Sequence, residues 1–367
     1  MKIAFDSQIF NSQSYGGISR YYTFLAQELL KKRHDVGIFS GIHCNNYLAS
    51  LPDGVDQGLK MKKYPPKSAR AFQLFSHYLA NMQINKWQPD IIHETYYSNL
   101  PILKAKAPRV TTAYDMIHEI YPQMFPAMDI TTYRKRKTFE RVEHIISISH
   151  NTKSDLIKMF GIKESKISVV HLGVDLSFFK RLPIQNTILQ RPILLFVGAR
   201  SGYKNFQALL KAVARSNSLK REFDIVAFGG GSFNRKELTL ISSLGFSEQN
   251  VRQVGGSDEK LREFYHLASA FIYPSLYEGF GIPPLEAMAC SCPVISSNTS
   301  SMPEVIGNAG EYFDPVNIDE LVASIENVVY SSMRSQELIL LGKERIKLFS
   351  WEVTANKTAD VYQKKIG

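Results

Sequence analysis

Two glutamates that flank a glycine-containing loop are the most informative residues of the chain. Glu278 and Glu286 stand eight positions apart, with Gly279 and Gly281 between them and two prolines at the start of a predicted helix. A carboxylate accepts hydrogen bonds from two neighbouring hydroxyls, as in a ribose or a sugar ring. Glycines let the backbone approach a ligand, and a helix N-terminus favours an anion. The segment predicts a site for a phosphorylated, hydroxyl-rich ligand, although a glutamate near a helix start also serves as a capping residue.

Two basic residues follow a strand predicted at residues 193–198. Arg200 and Lys204 stand in the loop after this buried strand. A cation at such a place can neutralise the charge that develops on a leaving group. Basic residues in a loop are also typical of a plain solvent-exposed surface. We expect ligand binding here, because the loop follows the carboxyl end of a strand.

The residues around the two glutamates resemble a known signature. PSLYEGFGIPPLEAMA at residues 274–289, followed by CPVISSNTSSMPEVIGNAG, resembles the donor site of family 4 retaining glycosyltransferases, which have the GT-B fold. The resemblance implies that Glu278 reaches the hydroxyls of the donor sugar and that Glu286 binds the ribose of the nucleotide. It also implies that the backbone amides matching three further residues lie against the sugar and the diphosphate: Phe280, Gly281 and Ile282.

Two further segments carry the same resemblance, which spans nearly the whole chain. FVGARSGYKN, at residues 196–205, is similar to the family segment whose basic residues hold the diphosphate, which implies this role for Arg200 and Lys204. YGGISR, after the first predicted strand, is similar to a glycine loop of the family. The likeness implies that Gly16 and Gly17 approach the diphosphate, although a glycine pair is also common in tight turns.

One departure from the family pattern concerns a histidine. Family members often carry a histidine that touches the donor sugar at the end of a strand, and Tyr114 stands at that position here. Either Tyr114 itself, as a donor-binding residue, or His118, four residues later, fills this role, with Asp115 placed to orient the imidazole or a hydroxyl. A lone histidine is also commonly structural. His93, at the end of another predicted strand, is a second candidate.

The sequence predicts neither a metal nor a cofactor. It contains no D-x-D triplet, and its histidines, cysteines and carboxylates lack metal-ligand spacing. Cys290 and Cys292 are predicted to pack in the core. The resemblance implies a metal-independent retaining hexosyltransferase, in which the departing diphosphate deprotonates the acceptor hydroxyl. The nucleotide sugar is then a substrate.

Short apolar runs alternate with amphipathic segments of helical length, which predicts βαβ units and parallel sheets covered by helices. The strand series restarts near residue 190, after a polar link at residues 181–187. We therefore predict an α/β protein of two facing Rossmann-like domains, the GT-B arrangement. Residues 1–185 form the acceptor domain, residues 186–350 form the nucleotide-sugar domain, and residues 351–367 form a closing helix.

The excess positive charge is confined to the first half of the chain. Residues 1–185 contain 25 Lys and Arg against 15 Asp and Glu, whereas residues 186–367 contain 19 of each. Such an imbalance indicates an anionic partner, such as an acidic membrane, a lipid pyrophosphate or nucleic acid, or else a solvated basic face. Two clusters carry much of it: Lys60, Lys62, Lys63, Lys67 and Arg70, then Arg134, Lys135, Arg136, Lys137 and Arg141.

An apolar and aromatic stretch lies between the two basic clusters. Phe72, Phe75 and Leu79 recur there at helical spacing. With lysines beside it, this pattern is typical of an interfacial amphipathic helix, and also of an ordinary helix that faces a protein core. Peripheral contact with an anionic membrane is therefore one of two interpretations.

Composition limits the class of protein. With 44% hydrophobic and 21% charged residues, the chain of 367 residues resembles folded globular proteins. Three cysteines fit a reducing compartment, and no apolar run reaches the roughly 20 residues that span a bilayer. We expect a cytoplasmic protein, at most peripheral to the inner face of the cytoplasmic membrane.

The resemblance also implies a role in bacterial surface-polysaccharide synthesis. The expected donor is a nucleotide-diphosphate sugar, with GDP-mannose or a related GDP-sugar favoured and a UDP-sugar as the alternative. The expected acceptor is a glycan or a lipid-linked glycan. Two rival functions are a sugar-nucleotide epimerase of the same fold and a nucleic-acid-binding protein. The second is favoured only by the net charge of +10, and the chain has no zinc-finger, helix-turn-helix or RNP-like pattern.

Overall fold

Runs of apolar residues form the central strands of two parallel sheets, because a strand covered on both faces must be apolar on both. The computed structural model describes residues 1–100, 106–175, 190–200, 202–247 and 249–366. The chain divides into two units. One contains Met1–Gly173 and Trp351–Gly367, and the other contains Val174–Ser350.

The first unit is a six-stranded parallel sheet with helices, and a two-stranded parallel pair lies beside it. Its strands are β1 (Lys2–Phe5), β2 (Asp35–Ile38), β3 (Ile42–His43), β4 (Leu59–Lys60), β5 (Ile91–Glu94), β6 (Arg109–Ala113), β7 (His144–Ser147) and β8 (Ile167–Val169). Its helices are α1 (Gln8–Ser12), α2 (Gly17–Lys31), α3 (Ala69–Trp87), α4 (Ile117–Ile120), α5 (Thr131–Arg141), α6 (His150–Phe160) and α15 (Trp351–Ile366). The large sheet has the order β2-β1-β5-β6-β7-β8, and β3 pairs with β4.

The second unit repeats this plan. Its strands are β9 (Ile193–Val197), β10 (Asp224–Phe228), β11 (Val251–Val254), β12 (Ala268–Tyr273), β13 (Val294–Ser297) and β14 (Gly310–Phe313). Its helices are α7 (Phe206–Arg215), α8 (Asn217–Glu222), α9 (Arg235–Ser243), α10 (Asp258–Leu267), α11 (Ile282–Ala289), α12 (Met302–Ile306), α13 (Ile318–Val329) and α14 (Ser332–Arg345). All strands are parallel, in the order β11-β10-β9-β12-β13-β14. In β9, Leu195 aligns with Val226 on one side and Phe271 on the other.

The alternation of apolar runs predicts eleven strands, which correspond to β1, β2 and β5–β13, and each is confirmed to within two residues at each end. Local chemistry sets several helix ends, as in α6, where the Ser149 side chain accepts from the amide of Thr152 and Gly161 ends the helix at a φ of 66°. Three strands are not expected from the apolar pattern: β3 and β4, which have two residues each, and β14, which is only partly buried. The predicted link at residues 181–187 lies outside the described residues.

The boundary between the two units lies after Gly173 and not at the predicted residue 185. Val174 belongs to the second unit, and its amide donates to the carbonyl of Phe349 at 3.0 Å. Helix α15 belongs to the first unit, where the Trp351 ring stacks on Phe24 with centroids 5.2 Å apart. The final helix therefore completes the first unit, although the second unit precedes it in the chain.

His93, the second histidine candidate, is a core residue of the first unit. Its side chain is fully buried, with Nδ1 2.6 Å from the Tyr362 hydroxyl on α15 and Nε2 2.9 Å from the Thr112 hydroxyl. Burial lowers the pKa of His93 to about 3, so the imidazole stays neutral at pH 7. Its two nitrogens are used in holding β5, β6 and α15 together.

The second basic cluster is partly internal, which corrects its interpretation as a solvated face. Lys135 is 1% exposed, and its Nζ lies 2.8 Å from Oε2 of Glu119 and 2.7 Å from the carbonyl of Asp115. Arg141 Nε lies 3.1 Å from both carboxylate oxygens of Glu94. Two of the five cations of this cluster therefore neutralise buried carboxylates.

The apolar stripe predicted around residues 72–79 also lies differently. Phe72 is partly buried and its ring stacks on Tyr64 with centroids 5.3 Å apart, and Leu79 is partly buried as well. Phe75, by contrast, is 55% exposed. The solvent-facing row of α3 is therefore rotated from the predicted stripe. No helix among the described residues is both long enough and apolar enough to cross a membrane.

Glu94 provides a test of how the first unit is stabilised. Its carboxylate is fully buried between Arg141 and Arg109, whose Nη1 lies 3.4 Å away. Glu94→Ala leaves two cations without their counter-charge, so we expect the free energy of unfolding to fall by about 3–5 kcal/mol. Urea unfolding followed by circular dichroism measures this.

Glu140→Ala is the matched control for Glu94→Ala. Glu140 pairs with Lys137 at 3.1 Å on the surface of α5, with about half of each side chain exposed. Its removal should cost less than about 1 kcal/mol. Equal losses in the two variants would show that the buried carboxylate is not a special source of stability.

Candidate functional site

Two predicted site residues meet at the carboxyl edge of the second sheet. The strand order runs outward from β9 to β10 and β11 on one side and continues with β12 on the other, so it reverses between β9 and β12. Ligands in open α/β sheets bind at the carboxyl ends of the strands beside such a reversal. The loop after β9 carries Lys204, and the loop after β12 carries Glu278.

Lys204 and Glu278 form an ion pair between these loops. Nζ of Lys204 lies 2.7 Å from Oε1 of Glu278 and 3.4 Å from the hydroxyl of Tyr273. The two charged side chains are only 16% and 10% exposed. Burial, and then the charge of Glu278, raises the pKa of Tyr273 well above its ordinary value, so this hydroxyl stays protonated. A cation, a carboxylate and a neutral hydroxyl thus converge at the sheet edge.

Contacts that the sequence analysis missed hold these two loops. The amide of Leu276 donates to the carbonyl of Tyr203 at 2.7 Å and joins the loops directly. Ser300 accepts from the amide of Glu278 at 2.9 Å, and Ser301 donates to the carbonyl of Glu278 at 2.8 Å. Both serines follow β13, so a third strand end positions Glu278. Their only signal in the sequence is a run of small hydroxyl residues after a strand, which does not identify the backbone they contact.

The predicted backbone donors lie at the start of α11. Gly281 precedes the helix with a φ of 114°, in the left-handed region that favours glycine, and a Cβ there would lie 2.7 Å from Cε of Met302. Ile282 is the first residue of the helix, and Phe280 is buried. Prolines 283 and 284 have no N–H. The positive end of the helix dipole therefore coincides with the amides of residues 280–282.

Glu286 lies inside α11 and is 93% buried, since only 7% of its surface is exposed. Its Oε2 accepts from the hydroxyl of Tyr265 on α10, at 3.4 Å. Burial, and then the charge of Glu286, raises the pKa of Tyr265, which keeps this hydroxyl a donor. Tyr265 is a partner that the sequence analysis did not identify. The two glutamates thus occupy one loop-helix segment, as predicted, with different supporting residues.

Arg200 follows β9 as predicted but contacts other groups. Its Nε lies 2.8 Å from Oε1 of Glu237, and its Nη1 lies 2.8 Å from the carbonyl of Gly229. Its Nη2 lies 3.1 Å from the carbonyl of Ser232, and the guanidinium lies 4.7 Å from the ring centroid of Phe233. The side chain is buried in these contacts, whereas Lys204 is bound to Glu278.

Glu237 connects Arg200 to the start of α9. Glu237 and Asn234 form a capping box, in which each side chain accepts from the backbone amide of the other residue. Gly230 has a φ of 71°, and a Cβ there would lie 2.7 Å from Nη1 of Arg200. Gly230 therefore leaves space for the guanidinium, whereas Gly229 and Gly231 have φ values of 89° and 71°, in the left-handed region that favours glycine.

Gly16 and Gly17 lie at the start of α2 in the first unit. Gly16 precedes the helix, and a Cβ there would lie 2.2 Å from Oε1 of Gln13. That oxygen accepts from the amide of Ser19 at 3.1 Å. At Gly17 a Cβ would meet nothing within 4 Å. A Cβ at position 16 would therefore displace the amide end of the Gln13 side chain, whereas one at position 17 would displace nothing.

Tyr114, in the position of the family histidine, is buried in an aromatic cluster of the first unit. Its ring meets Tyr21 and Tyr97 edge to face, with centroids 6.1 Å and 6.4 Å apart. Its amide donates to the hydroxyl of Tyr97 at 3.1 Å. The position after β6 is thus filled by a bulky and fixed side chain.

His118, the other candidate for this role, stacks on Phe125 with ring centroids 3.8 Å apart. Its Nε2 lies 3.9 Å from Oδ2 of Asp129, whereas the predicted partner, Asp115, accepts from Lys135. Burial, and then the charge of Lys135, lowers the pKa of His118, which favours a neutral imidazole. The carboxylate beside Nε2 is therefore that of Asp129, which the sequence analysis did not consider, and their separation exceeds the length of a hydrogen bond.

Cys290 and Cys292 are buried, as predicted. Burial, and then the charge of Glu286, raises the pKa of Cys290 to about 12, so it remains a thiol at neutral pH. Sγ of Cys292 lies 3.8 Å from the carbonyl of Ala268.

Two family models together match residues 15–345. The model described as Glycosyltransferase Family 4 matches residues 15–178, and the model described as Glycosyl transferases group 1 matches residues 179–345. The chain belongs to the family 4 glycosyltransferases. The two parallel-sheet units of this glycosyltransferase are the Rossmann-like domains of the GT-B fold class, which confirms the predicted fold.

Curated relatives of this glycosyltransferase include mannosyltransferases. The O-antigen chain mannosyltransferase B of Escherichia coli is 29% identical over 69% of this chain and 70% of its own length. The MMP alpha-(1->4)-mannosyltransferase of Mycolicibacterium hassiacum is 26% identical over 96% of this chain and 95% of its own length.

Solved structures share the fold of this glycosyltransferase at low identity. Sucrose-phosphate synthase from Thermosynechococcus elongatus has a TM-score of 0.76 at 20% identity, covering 99% of this chain and 98% of that one. WaaG, a glycosyltransferase involved in lipopolysaccharide biosynthesis, has a TM-score of 0.72 at 17% identity over 98% and 99% of the chains. Anabaena HepE in complex with UDP-glucose has a TM-score of 0.73 at 16% identity over 99% and 100%.

Gly281 provides a test of the loop geometry. Gly281→Ala adds a Cβ against Met302 and places alanine in the left-handed region, so we expect a loss of roughly 1–3 kcal/mol of unfolding free energy. Urea unfolding measures the loss. Gly255→Ala is the control, since its φ is ordinary and the nearest side-chain atom would lie 3.8 Å away.

A double variant separates the two causes of that loss. Met302→Ala removes the side chain that the new Cβ would meet, but it does not change the φ of residue 281. Gly281→Ala should therefore cost less when Met302→Ala is already present. An unchanged cost would assign the whole effect to the backbone conformation.

Proposed function

We propose that this glycosyltransferase moves a hexose from a nucleotide-diphosphate sugar to a glycan acceptor, with retention of configuration at the transferred carbon. The pairing of Lys204 with Glu278, at the carboxyl edge beside the start of α11, is the observation that carries the proposal. It combines a cation for a diphosphate, a carboxylate for sugar hydroxyls and a helix dipole for negative charge.

Each group of the second unit has a proposed role. Glu278 accepts hydrogen bonds from the donor sugar, and Glu286 accepts from the ribose. Lys204 neutralises the diphosphate, for which its three donors and flexible stem are suited. The amides of residues 280–282 bind the sugar and diphosphate oxygens. Arg200 has a less direct proposed role at the diphosphate than Lys204 has, because its Nε is already bonded to Glu237.

The proposed chemistry needs no metal, because Lys204 and the helix dipole supply the positive charge that a metal would supply. The bond between the sugar carbon and the diphosphate oxygen breaks, and the bond to the acceptor oxygen forms on the same face. The proton of the acceptor hydroxyl passes to the departing diphosphate. The protein contributes orientation and stabilisation of charge.

Residues of the first unit complete the proposal. Gly17 is the stronger of the two glycine candidates for a diphosphate contact, since packing does not explain it. His118 is the proposed polar contact to the substrate, because its imidazole is partly exposed and favoured in the neutral form. Tyr114 contributes a rigid wall in place of the family histidine.

The proposed donor is GDP-mannose or a related GDP-sugar. This proposal is supported by the two curated relatives described above, which are named as mannosyltransferases. A UDP-sugar is the second candidate, supported by the fold neighbour solved with UDP-glucose. The proposed acceptor is a lipid-linked glycan of surface-polysaccharide synthesis, at the cytoplasmic side of the membrane, in line with the O-antigen and lipopolysaccharide roles of the similar proteins.

Thermal unfolding with added nucleotides tests the donor site. GDP, UDP, ADP and their sugar conjugates are compared, each at about 100 times its dissociation constant. A bound ligand should then stabilise by roughly 2.7 kcal/mol, a shift of several degrees. We expect the largest shift with GDP compounds and its loss in Glu286→Ala. Glu337→Ala, at an exposed residue of α14, is the control.

The outcomes separate the rival functions. A selective shift with UDP compounds would transfer the proposal to a UDP-sugar donor. Conversion of the nucleotide sugar without any acceptor would identify an epimerase. No shift with any nucleotide, together with salt-dependent binding of short RNA or DNA, would contradict the proposal in favour of nucleic-acid binding.

Turnover of Glu278 and Lys204 variants tests the charge pair. Glu278→Gln and Lys204→Ala should each lower kcat by about 10²–10³, since each removes a group that stabilises the transferring sugar or the leaving charge. Glu337→Gln should leave the rate unchanged. Near-normal transfer by a folded Glu278→Gln protein would remove this residue from the proposed site.

A further inference from the structure

Helix α3 exposes a row of large apolar side chains. Leu74, Phe75, Tyr78 and Met82 are 44%, 55%, 43% and 61% exposed, and Ala71 lies at the start of the row. At 3.6 residues per turn, these five positions share one face of the helix. A contiguous apolar patch of this kind is typical of an interaction surface and not of scattered surface residues.

The opposite face of α3 fixes the orientation of this row. Ala80 and Ile84 are buried in a cluster with Phe39 and Ile92, between the helix and the first sheet. Ser76 donates to the carbonyl of Ile42 at 3.2 Å, which ties the helix to β3. Packing therefore directs the apolar row to solvent.

The chain around the row is strongly cationic. Residues 57–89 contain six lysines and arginines and no Asp or Glu. All six are exposed, and none of them pairs with a carboxylate of the described part of the chain: Lys60, Lys62, Lys63, Lys67, Arg70 and Lys86. The first basic cluster, which contains five of these six residues, thus differs from the second, in which Lys135 and Arg141 are neutralised internally. Its charge is available to an external anion.

A cavity at the N-terminal end of α3 continues the basic surface. It has a volume of about 600 Å³ and lies between α1 and the segment that precedes α3. Lys62, Lys63 and Lys67 line it, together with Tyr64 and Gln73. Three lysines that line one concave space suit a phosphate-bearing headgroup. The cavity and the apolar row lie on the same helix, at its start and along its exposed face.

We propose that α3 and the preceding basic segment dock this glycosyltransferase on an anionic lipid bilayer. The apolar row enters the boundary between headgroups and acyl chains, and the lysines of the cavity bind phosphate-bearing headgroups. A bilayer presents negative charge above an apolar layer, which matches cations beside an apolar row. A second copy of the chain would instead place these cations against one another.

This inference extends the proposed function, because a lipid-linked acceptor is held at such a surface. It does not depend on the donor chemistry, and its test uses no nucleotide. Failure of vesicle binding would leave the donor proposal intact, and failure of nucleotide binding would leave the docking surface intact.

Co-sedimentation with vesicles is the test. The full-length protein is mixed with vesicles of phosphatidylcholine alone and with vesicles that also contain phosphatidylglycerol. We expect binding to the anionic vesicles, weakened by salt because exposed charges are screened. Inorganic phosphate and pyrophosphate are added as competitors, so that headgroup binding in the cavity is distinguished from binding of free phosphate.

Two sets of variants separate charge from insertion. Lys62→Ala, Lys63→Ala and Lys67→Ala should each weaken binding about fivefold. Leu74→Ser with Phe75→Ser should weaken it roughly tenfold or more at any salt concentration. Phe75→Trp adds a fluorophore to the row, and brominated acyl chains should quench it if the row is inserted.

Matched controls lie in the second unit. Leu340→Ser with Leu348→Ser removes two apolar side chains that are 64% and 60% exposed elsewhere. Lys211→Ala with Lys236→Ala removes two exposed cations. Both control pairs should bind vesicles like the parent protein, and circular dichroism confirms that every variant is folded.

Three outcomes would overturn the proposal. The first is no binding to anionic vesicles. The second is equal losses in the α3 variants and their controls. The third is a dimer in sedimentation that dissociates on Leu74→Ser with Phe75→Ser while vesicles bind nothing, which would assign the row to a second copy.

Discussion

The parallel pairing of β9 with both β10 and β12 is the constraint on which the candidate site depends. Every residue of β9 is buried, and its backbone is bonded on both sides, so its carboxyl end has one fixed position. Because β12 runs in the same direction, the loops after the two strands leave the same edge of the sheet. Lys204 and Glu278 are far apart in the chain, yet this geometry places their charged atoms in contact. The sheet thus sets the approximate positions of Lys204 and Glu278. The glycine turns, the serine contacts and the start of α11 then adjust these positions locally.

The two basic residues after β9 pair with different carboxylates, Lys204 with Glu278 and Arg200 with Glu237. Lys204 offers three donors on a flexible stem and uses them on Glu278 and Tyr273, in a partly exposed position. Arg200 is planar and buried, and it uses its donors on Glu237 and on backbone carbonyls. An ammonium group can exchange one acceptor for another at little geometric cost, whereas a guanidinium clamped on several acceptors cannot. At this edge of the sheet, Lys204 is therefore the cation that can change its partner, and Arg200 is the cation whose position is fixed.

Alternation of apolar runs and amphipathic segments was sufficient to predict every strand of the two six-stranded sheets except β14, because a buried parallel strand must be apolar on both faces and β14 is only partly buried. The segment from Glu278 to Glu286 was likewise recognisable, since its chemistry is local in the chain. Three features could not be predicted from the sequence, because the residues that cause them are distant in the chain. Arg200 is directed by Glu237, Lys135 is buried by Glu119, and the solvent face of α3 is selected by the core beneath it. Each depends on a partner that is distant in sequence, which periodicity and spacing do not report.

The place of α15 in the first unit has a consequence for the order in which the protein is made. Tyr362 and Trp351 complete the core around His93 and Phe24, but the ribosome adds them only after the whole second unit. The emerging first unit must therefore wait, with the α15-binding face of α2 uncovered, while the second unit is synthesised and can fold as a contiguous segment. The two units therefore cannot complete their folding one after the other in the order of the chain. Of the two units, the one whose synthesis begins first is completed last.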